Sequence, residues 1–237
     1  MRILLLSCDM PRESIEQLSA LGYEVLTLPR HDTLPSAISH HPDSLVFRGE
    51  DRIIVDKDYY RANEAFFLSI KKRCPSLRIV LSTDKLGDKY PCDTRLNAIR
   101  LKNELFCHLE SISSAITEYA AEMGLQLVDT RQGYPACSTL KIREDAVISA
   151  DRGLTATYKR HGISVYEIDE GGILLPPYKY GFIGGASVVL GDRVCFFGDI
   201  SAHPSREIIE KALNDHSLIP HCIMGGPLCD LGGGILL

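Results

Sequence analysis

Short apolar runs separated by polar turns fill the chain, and an amphipathic segment follows every second run. The clearest unit begins after Pro135. Ser138 to Ile142 (STLKI) reads as a strand, Arg143-Glu144-Asp145 as a turn, and Ala146 to Ala150 (AVISA) as a second strand. Asp151 is placed to cap a helix through Lys159, Gly162 stops it, and Ile163 to Ile168 is a third strand. The next unit repeats the order: Ala186 to Leu190, a turn at Gly191-Asp192-Arg193, Val194 to Phe197, a helix opening over Asp199 to Pro204 and running through Leu213, then Leu218 to Met224. In that helix Ile208, Ile209, Ala212 and Leu213 recur at helical spacing.

Two earlier stretches scan the same way. One runs Leu96 to Leu101, Leu105 to Leu109, a helix from Ser113 and Ser114 to near Gly124, and Leu125 to Val128. The other runs Leu45 to Phe47, Ile53 to Val55, a helix across Tyr60 to Lys72, and Leu77 to Leu81. The ends supply a fifth copy. Gly232 to Leu237 is a lone first strand, while Arg2 to Ser7, a helix across Arg12 to Leu21, and Tyr23 to Leu28 complete it. A module split between the termini makes sense only when the chain closes on itself, which leaves no open end to the ring. Five modules in 237 residues is about 47 residues each, within the range of repeat architectures. Tyr90-Pro91, Tyr134-Pro135 and Tyr180-Gly181 recur near the module starts.

The fold class expected is therefore α/β: one five-fold pseudo-symmetric β/α propeller of ββαβ modules, closed by pairing of the N- and C-terminal strands. The modules span roughly 226–237 with 1–35, 36–85, 86–131, 132–176 and 177–225. An open α/β sheet is the alternative. Against it, Cys8-Asp9-Met10-Pro11 follows the first strand where a dinucleotide-binding fold carries a glycine-rich loop, so no cofactor is expected.

Charge and composition narrow the function. The formal charge is −5 with no long basic run, which argues against nucleic acid as partner. Met1 to Ser7 is too short for a signal-peptide core or a membrane span, so no membrane partner is expected. Eight cysteines in such a chain read as reduced thiols of a cytoplasmic protein.

The module frame brings chemistry-bearing residues to one end of the ring. Cys92-Asp93 precedes one first strand, Cys137-Ser138 opens the next, Cys229-Asp230 precedes the last, and His41 and Asp43 precede another. Three readings compete. A thiol could act as a nucleophile with His41 or His203 as base, while Asp93, Asp230 or Asp43 holds a cationic substrate. Three thiolates with His or Asp would suit zinc, but no close Cys-x-x-Cys spacing is present, so no metal is expected. The cysteines could also simply fill space. Asn97 and Ser187 lie within first strands, either as satisfied core groups or lining the pore. Glu170-Gly171-Gly172 falls in a connection between modules, and His203 before Pro204 at a helix start. Cys8, Cys74, Cys107, Cys195 and Cys222 read as packing, and Cys137 is expected to react faster with thiol reagents than Cys195.

The stretch Tyr180 to Ser187 (YGFIGGAS), with Gly198-Asp199 and His203-Pro204 after it, resembles the pentein superfamily, the guanidino-group-modifying enzyme fold. It looks closest to an uncharacterised bacterial branch. The superfamily includes arginine deiminases, amidinotransferases, dimethylarginine dimethylaminohydrolases and a non-catalytic ribosome anti-association factor. The resemblance implies a Phe-x-Glu-Gly-Gly-Asp stretch, a His-x-Asp stretch and a late cysteine after a glycine run. This chain departs from all three: Phe182-Ile183-Gly184-Gly185 lacks the glutamate, His41-Pro42-Asp43 is the nearest His-x-Asp, and Leu237 stands at the cysteine position. The resemblance implies a thiol-dependent hydrolase or transferase acting on a guanidine or amidine at the central mouth. The alternative is a non-catalytic binding module with a degenerate site. A homodimer is the assembly to test.

Overall fold

A computed structural model describes residues 2–237. Five three-stranded sheets share one construction. In four of them a middle strand pairs antiparallel with the strand before it and parallel with the strand after it, across a connection that carries the helix; in the remaining one, the terminal sheet, the antiparallel partner is the C-terminal strand. The second sheet is Val46–Arg48, Arg52–Asp56, Arg78–Ser82, and the third is Ala98–Leu101, Glu104–Cys107, Gln126–Asp129. The fourth is Thr139–Arg143, Ala146–Ser149, Ser164–Glu167, and the fifth is Ser187–Leu190, Arg193–Phe196, Ile219–Cys222. The terminal sheet joins the two ends. Ile235–Leu236 pairs antiparallel with Arg2–Ser7, Leu4 opposite Leu236 and Leu5 opposite Ile235, and Arg2–Ser7 pairs parallel with Tyr23–Leu28.

The middle strands are continuous apolar runs because both of their faces are covered. Alternate residues point to opposite sides, and the two sides pack against different neighbours. Ile3 and Leu5 join a core shared with the second and third sheets, while Leu4 and Leu6 join one shared with the fifth. Leu105 and Cys107 face the second sheet and Phe106 faces the fourth. Val147 faces the third sheet, and Ala146 and Ile148 face the fifth. Each sheet is thus packed against the next, and the fifth against the terminal one. The sheets remain separate in hydrogen bonding, and no single sheet closes on itself.

Local signals explain the helices. Asp56, Ser113 and Asp151 follow middle strands and cap the helices Lys57–Ala62, Ser114–Glu122 and Arg152–Arg160 through side-chain oxygens. Gly22, Gly124 and Gly162 end helices at positive φ. Three details depart from the sequence expectation. The segment expected as one helix across Tyr60 to Lys72 breaks at Asn63, whose φ of −126° is not helical. The helix expected from Asp199 is a 3-10 turn over Ile200–Ala202, then Arg206–Asp215, because Pro204 interrupts it. A two-stranded parallel sheet, Ile173–Leu174 with Leu228–Cys229, had no counterpart in the repeat. No helix among the described residues is long and apolar enough to cross a membrane.

Candidate functional site

The residues that precede the five first strands are tied to one another in a circuit. Asp43 N donates to Gly232 O at 3.2 Å, and Asn97 Nδ2 donates to Asp43 O at 3.2 Å. Ala136 N donates to Asn97 Oδ1 at 2.8 Å, Gly185 N to Cys137 O at 2.9 Å, and Gly233 N to Gly185 O at 2.8 Å. Asn97 is therefore a strut between modules.

Inside this circuit His41, Cys137 and Asp230 meet. His41 stands at the N-cap of the short helix Pro42–Leu45. Cys137 sits in the turn closed by Ser138 N to Tyr134 O, and Asp230 follows the strand Leu228–Cys229. Cys137 Sγ lies 3.5 and 3.7 Å from the two carboxylate oxygens of Asp230, and His41 Nδ1 lies 3.6 Å from Oδ1. Backbone N–H groups of Phe182 and Gly232 fix that carboxylate at 2.8 and 3.0 Å. Three glycines make the space. A Cβ on Gly185 would stand 1.9 Å from Asp230 Oδ1, one on Gly181 2.5 Å from Asp230 Cβ, and one on Gly232 2.3 Å from His41 Cβ.

Electrostatics follow from burial. Desolvation pushes the Cys137 thiol well above its ordinary value, and the charges of Asp230 and Asp43 push it further. Burial, then the neighbouring Asp230, raises Asp43 to about 8, and burial raises Asp230 despite its two N–H donors. Burial, then His40, lowers His41 to about 3, so its approach to Asp230 is a neutral contact and not an ion pair. The Asp230 backbone carbonyl also faces the ring, yet neither ring nitrogen meets hydrogen-bond geometry. Asp43 Oδ2 and Ser138 Oγ are likewise buried without a partner. An unpaired buried polar group costs roughly 1–3 kcal/mol, so this is an expensive arrangement.

Two cavities flank the cluster. A central channel of about 330 Å³ is lined by residues of the first strands. Asp43, Gly232 and Ser187 line it, as do Arg48, Arg100 and Lys141 farther along their strands. Ser187 Oγ is satisfied by Ile183 O at 2.7 Å. A second cavity of about 140 Å³ has Ser138, Gly181 and Phe182 among its lining residues, together with Tyr180 and the acids Asp151, Asp169 and Glu170. None of these acids is in an ion pair among the described residues. Glu170 lies near enough to Tyr180 to raise its phenol above the ordinary value, Asp169 accepts from Ser205 Oγ at 2.9 Å, and Asp151 accepts from Gln132 at 2.8 Å.

The remaining sequence candidates separate from the cluster. Cys92 is half-buried with its sulfur 3.6 Å from Arg95 Nη2. Asp93 is buried and accepts from Tyr134 Oη at 2.6 Å, and burial raises its pKa. Cys229 packs with Leu4, Leu6 and Phe197, because its side chain points away from that of Asp230. His203 is buried beside Gly172 and takes Ser205 N on Nδ1, with no hydrogen bond to any candidate thiol. Of the three thiols, only Cys137 joins the cluster. Sequence reasoning missed Tyr134, Asp151, Asp169 and Tyr180. Tyr134 and Tyr180 belong to the recurring module-start pairs, a signal that was available.

Known proteins place the fold. The chain resembles a dimethylarginine dimethylaminohydrolase solved as an adduct with 4-chloro-2-hydroxymethylpyridine, at TM-score 0.57 and 8% identity, over 94% of this chain and 92% of that one. It resembles SxtG, an amidinotransferase of the saxitoxin pathway from Microseira wollei, at TM-score 0.56 and 10% identity, over 99% and 93%. It also resembles the N-terminal domain of ArgZ, a cyanobacterial arginine dihydrolase solved with its product, at TM-score 0.54 and 10% identity, over 93% and 90%. No curated protein matches by sequence. The chain shares the pentein fold with these proteins. Residues 5–236 match the model of DUF6873, a family of unknown function, and the chain belongs to that family.

Proposed function

We propose that this chain is a pentein-fold receptor for a small guanidine- or amidine-bearing cation, held in the acid-lined cavity beside Ser138. The observation that carries the reading is the cavity itself. Three carboxylates without ion-pair partners surround it, Tyr180 supplies an aromatic wall, and the buried Ser138 hydroxyl stands on its lining. A planar guanidinium offers its donors to carboxylate acceptors in a geometry they match. The three similar enzymes act on guanidine compounds by their names, which supports the ligand class. Arg152 shares the adjoining groove with Asp169 and Glu170 and limits the negative charge there.

The five sheets are read as blades of a five-fold propeller with module boundaries near 36, 86, 132, 177 and 226. The hydrogen-bonded circuit and the sheet-to-sheet packing support that reading. Eight free cysteines support a cytoplasmic setting.

A second reading, thiol catalysis, rests on Cys137 lying next to Ser138 with a carboxylate 3.5 Å from its sulfur. Asp230 would take the thiol proton, sulfur would bond to the guanidine carbon, and an amine would leave with a proton. Water would then release the product and restore the thiol. The raised thiol favours binding without chemistry.

The test is calorimetric titration with agmatine, arginine and methylated arginines, with mass spectrometry on Cys137. Saturable binding weakened at least tenfold by Glu170→Gln supports the receptor reading. A mass adduct on Cys137 with turnover supports catalysis instead. No binding across the panel overturns both.

A further inference from the structure

We propose that His41, Cys137 and Asp230 form a three-ligand site, with a fourth position left for water, for a single divalent transition-metal ion of the zinc class. The cluster has the right donors. It offers one imidazole nitrogen, one thiol sulfur and carboxylate oxygens, a set that zinc accepts. The three donors all lie within 4.8 Å of one another.

The distances are more telling than the list. Tetrahedral zinc with bonds of about 2.0–2.3 Å holds its ligand atoms about 3.3–3.8 Å apart. Here the same oxygen, Asp230 Oδ1, lies 3.6 Å from His41 Nδ1 and 3.7 Å from Cys137 Sγ. The nitrogen–oxygen spacing is too long for a good hydrogen bond and matches the edge of a coordination tetrahedron.

An independent observation points the same way. The His41 side chain is 1% exposed, and neither ring nitrogen has a hydrogen-bond partner. Asp43 Oδ2, close by, is also buried and unpartnered. No lysine or arginine contributes to the charge environment of Asp43 or Asp230. The Asp230 carboxylate is then left without a cationic partner, and the charge that develops on Cys137 when it ionises would be left without one too; a dication supplies it. Backbone N–H groups of Phe182 and Gly232 already orient the Asp230 carboxylate, the outer support that metal ligands require. Gly181, Gly185 and Gly232 wall the cluster closely. An ion fits where an organic ligand does not, so the site is distinct from the acid-lined cavity. Asp43 borders the central channel, which provides a way in.

On binding, Cys137 gives up its thiol proton to solvent as its sulfur bonds to the metal, and Asp230 binds as the carboxylate. No electron transfer is involved.

The experiment is titration of the chelator-treated full-length protein with Co²⁺, then displacement by Zn²⁺. The expected result is one ion per chain, a near-ultraviolet thiolate-to-cobalt charge-transfer band, and proton release that scales with buffer ionisation heat. Cys137→Ser should remove the band, and His41→Ala should weaken binding roughly a hundredfold or more. The wild-type spectrum requires no variant, so misfolding of a mutant cannot mask the answer. Absence of the band in wild type, or a band that persists in Cys137→Ser, overturns the proposal. Agmatine binding without cobalt binding would sink the metal site and leave the receptor reading intact, and cobalt binding without agmatine binding would do the reverse.

Discussion

Removing residues 232–237 should destabilise the whole protein and not merely fray one edge. The deletion takes away Ile235, which is 9% exposed, and the half-buried Leu236 and Leu237. It also removes the pairing of Leu236 and Ile235 with Leu4 and Leu5, and the bond from Leu237 N to Ile3 O. Burying one aliphatic side chain completely is worth about 1.5–3 kcal/mol. One such residue and two half-buried ones give roughly 3–6 kcal/mol, an upper figure because unfolded chains already bury some surface. The circuit at the module starts opens as well, since Asp43 N and Gly185 O lose Gly232 and Gly233. Domains hold only about 5–15 kcal/mol in all. With a urea slope of about 3 kcal/mol per molar for a chain at the large end of the range, the midpoint should fall by roughly 1–2 M. Paired urea melts of the full and shortened chains, followed by far-ultraviolet circular dichroism, measure it. An unchanged midpoint would mean that the C-terminal strand carries no load and that the closure argument is wrong.

Two further outcomes follow from the same site. Gly185→Ala should cost about 3 kcal/mol by forcing a methyl group against Asp230, whereas Gly225→Ala, which meets nothing within 4 Å, should be near neutral on strain grounds in the same melts. In the folded protein a maleimide should modify exposed Cys8 and Cys222 and spare Cys107, Cys137 and Cys195 until urea unfolds it, as peptide mapping would reveal. Rapid modification of Cys137 would show that the cluster is open to solvent.

The strand-turn-strand order was legible because buried strands and amphipathic helices differ in hydrophobic period. Arg2–Ser7 and Tyr23–Leu28 agree with the expectation residue for residue. The pairing of the two ends was legible for a different reason, since each was half of a repeat. What the pattern could not carry was side-chain direction. Cys229 and Asp230 are adjacent in sequence, yet only Asp230 turns inward, because neighbouring residues of an extended segment face opposite ways. Cys92 stands one residue from buried Asp93 and is still drawn to Arg95. The expectation that Cys137 reacts faster than Cys195 could not anticipate that both are buried, at 3% and 0% exposed, or that two carboxyls raise the Cys137 thiol further. His41, Cys137 and Asp230 stand among the module-start residues, but the sequence sets zinc aside there because the three come from different modules, with no short spacing to single them out from the other cysteines and acids. The acid-lined cavity was partly visible through Glu170. Its other acids serve as a helix cap and a loop anchor and so gave no separate signal.

The antiparallel pairing of Leu4 with Leu236 has a consequence for synthesis. The partners are separated by 232 residues of chain. At about 5–20 residues per second, the strand Arg2–Ser7 leaves the ribosome roughly 10–50 s before its partner exists. Throughout that interval one of its edges can pair with nothing native, and an unpaired apolar edge invites other chains. A circular permutant that begins near residue 86 and joins Leu237 to Arg2 through a short glycine linker would turn this most distant contact into a local hairpin. Such a permutant should keep the same cores while gaining yield in cells where folding, and not stability, limits accumulation.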